Sequence, residues 1–229
     1  MRRALILDTE TTGVDPSVDS VIEVAACLYD LEIGCAIESY ASLVRAPGGN
    51  PAERINGVPA AALAEANHPI EVWRRVAGLA AAADVVAAHN AEFDRGFVRA
   101  AGAPSIADKL WVCTRSDFVW EAGGEGGGRK LVEIVLAYGL GVATAHRAAA
   151  DVDMMVRLFT RVKELGVSLP DLFRRAARPK KRFVAQVSFE MKHLAKEAGF
   201  SWSPETRVWW RMMSPADVSA LPFRVVERP

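Results

Sequence analysis

Residues 4–7, Ala-Leu-Ile-Leu, form an apolar run that breaks on an acid, Asp8, and a second acid follows at Glu10. No other stretch constrains the fold as much. A short apolar run bounded by polar residues reads as a buried strand. Side chains alternate across a strand, so Asp8 and Glu10 leave its end on one face. Two acids so placed repel each other, and a divalent cation with oxygen ligands relieves the repulsion. The ordinary reading is a pair of solvated acids at a strand-to-loop junction, and an isolated Asp-x-Glu favours it.

The rest of the first 165 residues alternates between strand and helix patterns. Residues 20–30 and 36–44 read as two further strands, with Gly34 between them as a hairpin turn. Residues 59–66 and 70–83 are Ala-rich and read as helices, the second opened by Pro69. Residues 84–89 read as a short buried strand, after which Asn90 is placed to cap a helix over 91–101 that Gly102 ends. One more short strand is expected at 110–113, a flexible glycine-rich loop at 123–128, and helices at 130–138 and 147–164. Strands first, then strands interleaved with helices, predict an α/β fold: a mixed β-sheet flanked by helices.

Composition sets the bounds. The chain has 229 residues, 51% hydrophobic and 24% charged, which is globular and leaves room for one large domain with a small one. Cys27, Cys35 and Cys113 lack the count and spacing of a disulfide framework or a zinc site and read as reduced, buried thiols. The N-terminal apolar run is too short for a signal peptide and no window reaches the length of a membrane span, so a cytoplasmic protein is expected. The net charge is zero but uneven. Residues 1–172 carry 16 Lys and Arg against 23 Asp and Glu, and residues 173–229 carry 12 against 5. Such asymmetry points to a nucleic-acid partner, or to a solvated basic face. The basic run at 174–182 marks a boundary between a domain over 1–176 and a small α+β module over 183–229.

Two further segments carry acids. In His89-Asn90-Ala91-Glu92-Phe93-Asp94, Asp94 falls in the first turn of a helix, where a carboxylate is common for dipole reasons alone. In His146-Arg147-Ala148-Ala149-Ala150-Asp151, His146 and Asp151 converge only if His146 precedes the helix. Each has an ordinary reading as an exposed loop histidine or a solvated helix acid. Their conjunction does not. Asp8-Thr9-Glu10-Thr11-Thr12-Gly13, then His-Asn-x-x-Phe-Asp, then His-x4-Asp resemble, in order and spacing, the three motifs of the DEDDh (DnaQ-like) 3′→5′ exonucleases. That family includes the proofreading epsilon subunit of bacterial DNA polymerase III and has a ribonuclease H-like fold. The resemblance covers about residues 3–165. It implies that Asp8, Glu10, Asp94 and Asp151 hold two divalent cations, Mg²⁺ or Mn²⁺, roughly 3.5–4 Å apart. It implies His146 as the base that takes a proton from the attacking water. Thr9, Thr11, Asn56, Asn90 and Phe93 would contact the terminal nucleotide, with Asn56 standing where the family often has His. Asn90 and Phe93 have equally ordinary readings as helix cap and core.

The C-terminal residues Val184–Val187 read as a strand, Ser188 as the cap of a helix to Ala198, and 200–210 as two strands around a turn. Trp202, Trp209, Trp210, Arg207 and Arg211 suggest a platform on which single-stranded bases stack, or a small module's core. Gln186–Met191 loosely resembles a sliding-clamp-binding peptide, although a helix start accounts for the same residues. Three functions follow: a DNA exonuclease at single-stranded or frayed 3′ ends, associated with a polymerase or clamp; an RNA-trimming exonuclease; or a non-catalytic binding module. The last predicts a lost acid or histidine, and all five positions are filled.

Overall fold

The structure, a computed structural model, describes residues 1–46, 48–122 and 130–228. The glycine-rich loop expected at 123–128 lies outside the described residues. The chain runs β1 (Arg3–Thr11), β2 (Val21–Asp30), β3 (Cys35–Leu43), α1 (Glu53–Asn56), α2 (Ala60–Ala64), α3 (Pro69–Ala81), β4 (Val85–Ala88), α4 (Ala91–Ala100), α5 (Pro104–Ala107) and β5 (Trp111–Cys113). It continues through α6 (Leu131–Ala137), α7 (Ala148–Glu164), α8 (Leu169–Ala176), β6 (Lys181–Ala185), α9 (Lys192–Glu197), β7 (Ser201–Ser203), β8 (Val208–Met213), a 3₁₀ turn (Pro215–Ala220) and β9 (Val225–Glu227).

The first five strands form one mixed sheet in the order β3-β2-β1-β4-β5. β1 pairs antiparallel with β2 and parallel with β4, and β4 runs parallel with β5. β1 is therefore central, and its alternation divides the core. Ala4 and Ile6 join the apolar cluster of α7, with Met155, Leu158 and Phe159. Leu5 and Leu7 join the opposite cluster, with Val72 and Val76 of α3 and Phe97 and Val98 of α4. β2 is buried along its whole length because α7 covers one face and α3 the other. β3 is the exposed edge, where Cys35 is open to solvent, against the expectation of a buried thiol; Cys27 is buried and Cys113 half-buried.

The helix α8 has no counterpart among the expected elements, since its last residues begin the basic run. Only one face of it is apolar: Leu169, Phe173 and Ala176 are buried, while Arg174 and Arg175 stay outside. Phe173 closes an aromatic cluster with Phe159 at 5.0 Å and Phe118 at 5.1 Å between ring centroids. α8 ends at Ala176 and the second sheet starts at Lys181.

That second sheet is antiparallel, in the order β7-β8-β6-β9, around a small core of Phe183, Ala185, Ala195, Phe200 and Met213. Its first strand begins three residues earlier than expected, because Lys181 and Arg182 pair with Met213 and Met212. Its helix begins at Lys192, not after Ser188. Residues 188–191 close a turn through the Met191 N–H to the Ser188 carbonyl at 3.1 Å. Among the described residues no helix is long and apolar enough to cross a membrane.

Phe159 is fully buried and touches Tyr29, Phe118, Trp120 and Phe173. Phe159→Ala should therefore cost about 3–5 kcal/mol, read as a fall in urea midpoint with an unchanged slope. A decrease below about 1 kcal/mol would contradict this packing.

Candidate active site

The carboxylates gather beyond the C-terminal end of β1, where parallel β4 turns into α4. Ligand crevices of open α/β sheets lie at this end of the strands. Asp8 and Glu10 share the face of Ala4 and Ile6, toward α7, which brings Asp151 in its first turn. Asp94 arrives from the opposite layer. It is 2% exposed, and its Oδ1 accepts the Thr9 N–H at 3.0 Å and the Thr9 hydroxyl at 2.8 Å. The two layers of the fold thus meet around one strand end.

Burial and mutual repulsion dominate the electrostatics. Burial holds the Asp8 carboxyl well above the ordinary carboxylate range, reinforced by the charges of Asp94, Asp151, Glu10 and Glu23. Glu10 is pushed up to about 7 by burial, then by Asp151, Glu23 and Asp94. Asp94 is raised to about 7 by burial, against the two Thr9 hydrogen bonds that favour its anion. Asp151 is raised by burial, opposed by the charge and backbone hydrogen bond of His146. Its Oδ1 is buried and has no hydrogen-bond partner. His146 is exposed just before α7 with φ of 61°, a left-handed conformation uncommon outside glycine.

Clustered acids with raised pKa values and an orphaned buried oxygen suit hard divalent cations. Among the described residues, however, no three His, Cys, Asp or Glu side chains are disposed to enclose a metal ion by themselves. Asp94 turns one oxygen to Thr9.

The other sequence-predicted contacts divide. Thr9 is spent on Asp94, and the Thr11 hydroxyl donates to the Gly13 carbonyl at 2.5 Å. Asn56 is 2% exposed. Its Oδ1 accepts from Asn50 at 2.8 Å and from the Val58 N–H at 3.1 Å, and its Nδ2 donates to the Thr11 carbonyl at 3.3 Å. It props the end of β1 from beneath and presents no polar atom outward. Asn90 is exposed with φ of 85° and makes no side-chain cap, contrary to expectation; asparagine tolerates this conformation. Phe93 is half-buried, 4.8 Å from Phe97 between ring centroids. Trp202, Trp209 and Trp210 do not form one platform. Trp209 leans on the small core and Trp202 lies 5.6 Å from it, whereas Trp210 carries the Arg182 guanidinium 5.3 Å over its ring. Arg207 sits exposed at the β7–β8 turn, and Arg211 directs its guanidinium to the Ala198 carbonyl at 2.6 Å.

Two residues the motifs did not single out complete the site. Glu23 faces Glu10 across the β1–β2 ladder and is 4% exposed. It accepts Arg147 Nε at 2.9 Å, Arg147 Nη2 at 3.1 Å and the Ala148 N–H at 3.2 Å. A carboxylate on β2 therefore satisfies the first turn of α7 and anchors the residue between His146 and that helix. The sequence signal is a charge set among the apolar residues of Val21–Leu28.

Glu23→Gln leaves Arg147 without its ionic partner and should cost about 1–3 kcal/mol of stability, read from urea unfolding. Unchanged stability would show the pair to be incidental. In the unfolded chain Glu10 titrates near 4.5, whereas in the folded chain it titrates near 7. Between those values the folded state binds more protons, so this contribution to stability falls as pH rises. The melting temperature in EDTA should drop from pH 4.5 to 7, and Glu10→Gln should flatten the drop. The same slope in both proteins would refute the assignment.

Residues 5–159 match the family model described as Exonuclease, and residues 181–227 match a domain of unknown function (DUF8626). DNA polymerase III PolC-type of Thermotoga petrophila is 27% identical over 175 residues, 70% of this chain and 12% of that protein. The Thermotoga maritima protein of the same name is 26% identical, with the same coverage. The chain thus spans about an eighth of the curated relatives it matches. Among solved structures, E. coli exonuclease I bound to single-stranded DNA, in a zinc-bound form, superposes with a TM-score of 0.62 at 20% identity, over 91% of this chain and 54% of that one. A 3′-exonuclease recognising a histone mRNA stem-loop superposes with a TM-score of 0.57 at 14% identity, over 72% of this chain and 64% of that one. Exonucleases of this family generally use divalent metal ions. The family model spans most of the chain. The chain belongs to the Exonuclease family of DnaQ-like nucleases.

Proposed function

We propose that this chain is a 3′→5′ exonuclease that hydrolyses the terminal phosphodiester of DNA and releases nucleoside 5′-monophosphates. The convergence of Asp8, Glu10, Asp94 and Asp151 on one strand end, with raised pKa values and the orphaned Asp151 Oδ1, carries the reading. These four residues would hold two divalent cations, Mg²⁺ or Mn²⁺. Bound there, the cations supply charge neutralisation at the phosphate and acidify a water. His146, exposed beside Asp151, would take the water's proton. Thr9 holds Asp94 in orientation, and Asn90 and Phe93 border the place of the terminal nucleotide.

RNA trimming is the second reading, supported by the fold shared with a 3′-exonuclease of a histone mRNA stem-loop. The chemistry is the same, and contacts to the 2′-OH decide between the two. Residues 1–176 would form the nuclease and residues 183–229 an auxiliary nucleic-acid module. Phe189 at 77% and Met191 at 45% exposure would be the contacts of any clamp or polymerase partner.

The test uses 3′-labelled single-stranded DNA, duplex DNA and RNA of one sequence, with Mg²⁺ or Mn²⁺. Mononucleotide release should require the cation and fall by about 10³-fold or more in Asp8→Ala, a barrier increase of about 4 kcal/mol. Activity unchanged by EDTA or by Asp8→Ala would sink the proposal. Faster turnover of RNA than DNA would select the second reading.

A further inference from the structure

A cleft of about 540 Å³ lies between the start of α4 and the small sheet. One wall is the start of α4 and the segment after β5, including Asn90, Arg95 and Arg115. The other belongs to the small sheet and the approach to it, including Lys180, Trp210 and Arg211. Asn90 and Arg95 of this wall lie on the helix that carries Asp94: Asn90 is one turn before it and Arg95 is the next residue.

The charges in this cleft favour an anion. Arg95, Arg115, Lys180 and Arg211 face two acids, Glu92 and Asp117. Asp117 is committed to Lys180 at 2.6 Å and to the Cys113 N–H at 2.8 Å. Arg95 Nε donates to the Ala107 carbonyl at 2.8 Å, and Arg211 donates to the Ala198 carbonyl at 2.6 Å and the Ser116 carbonyl at 3.5 Å. Carbonyl partners orient a guanidinium without neutralising it. Trp210 adds an aromatic ring to the same wall. Cations tracking a backbone beside an aromatic ring make up the chemistry of single-strand binding, because a stacked base must be unpaired.

We propose that this cleft is the entry groove for a single nucleic-acid strand, holding the nucleotides next to the terminal one at the carboxylate site. Its volume, within the roughly 300–1,000 Å³ of ordinary ligand clefts, suits a nucleotide or two and not a double helix. The role of the small module is then to supply the second wall. This assignment rests on the nuclease reading of the carboxylate site.

The experiment separates the two claims by substrate length. The full chain is assayed on a p-nitrophenyl ester of thymidine 5′-monophosphate, which reaches only the carboxylate site, and on a single-stranded oligonucleotide of about 20 nucleotides, longer than the site size of one binding module. Arg95→Gln with Arg115→Gln should leave turnover of the ester unchanged and raise KM for the oligonucleotide about tenfold or more. The slope of log KM against log salt should fall by about 1.4, because each phosphate of a single strand that a cation neutralises contributes about 0.7. Should the double variant melt early, Arg115→Gln alone carries the test at half that slope change. Ester turnover retained with KM and salt slope for the oligonucleotide unaltered would overturn the groove. Cleavage of neither substrate by the wild type would mean that the nuclease reading has failed, and the groove falls with it.

Discussion

Acids from both helical layers share one end of a buried strand, and their charges cannot coexist there without compensation. This constraint organises the site. Asp8 and Glu10 reach it through strand alternation, Asp151 through α7, and Asp94 through α4 on the opposite side of the sheet. In low-dielectric surroundings the group holds protons up to about pH 7 at Glu10 and Asp94. A fold that spends stability on such repulsion needs a ligand of opposite sign to recover it, which is the physical link between this architecture and cation-dependent chemistry.

The compensation built into the chain is local. Thr9 steadies Asp94 with two donors, and Arg147 steadies Glu23 with two more. The second contact reaches furthest. It joins the middle of the sheet to the first turn of α7, and so fixes where His146 and Asp151 stand relative to Asp8 and Glu10. Beneath the site, Asn56 ties the loop after β3 to the end of β1. The aromatic cluster of Phe118, Trp120, Phe159 and Phe173 locks α7 and α8 against the same layer.

Much of this is legible in the chain. The alternation of β1, the largely apolar β2 and the helical stripes of α3, α4 and α7 mark their elements to within a few residues, because each buries its own periodic face. The helix α8 escapes notice because its buried positions, Leu169, Phe173 and Ala176, adjoin a run of charges that dominates the composition. The start of α9 falls later than residue type suggests because residues 188–191 close a turn ahead of it. Asn90 has the residue type of a cap, yet its left-handed backbone leaves the side chain in the cleft.

The sequence by itself determined the identity and order of the acidic motifs, the layered α/β architecture and the +7 charge of residues 173–229, where 12 Lys and Arg stand against 5 Asp and Glu. All of these are local patterns of residue type and spacing. Only the tertiary structure decided that Glu23 and Arg147 join the site, that Asn56 supports it from below, and that the tryptophans divide between a core and a cleft wall. Each of those depends on which residues far apart in the chain become neighbours: 124 positions separate Glu23 from Arg147. No periodicity records a pairing of that range, because it is made by the packing of elements and not by the pattern within any one of them.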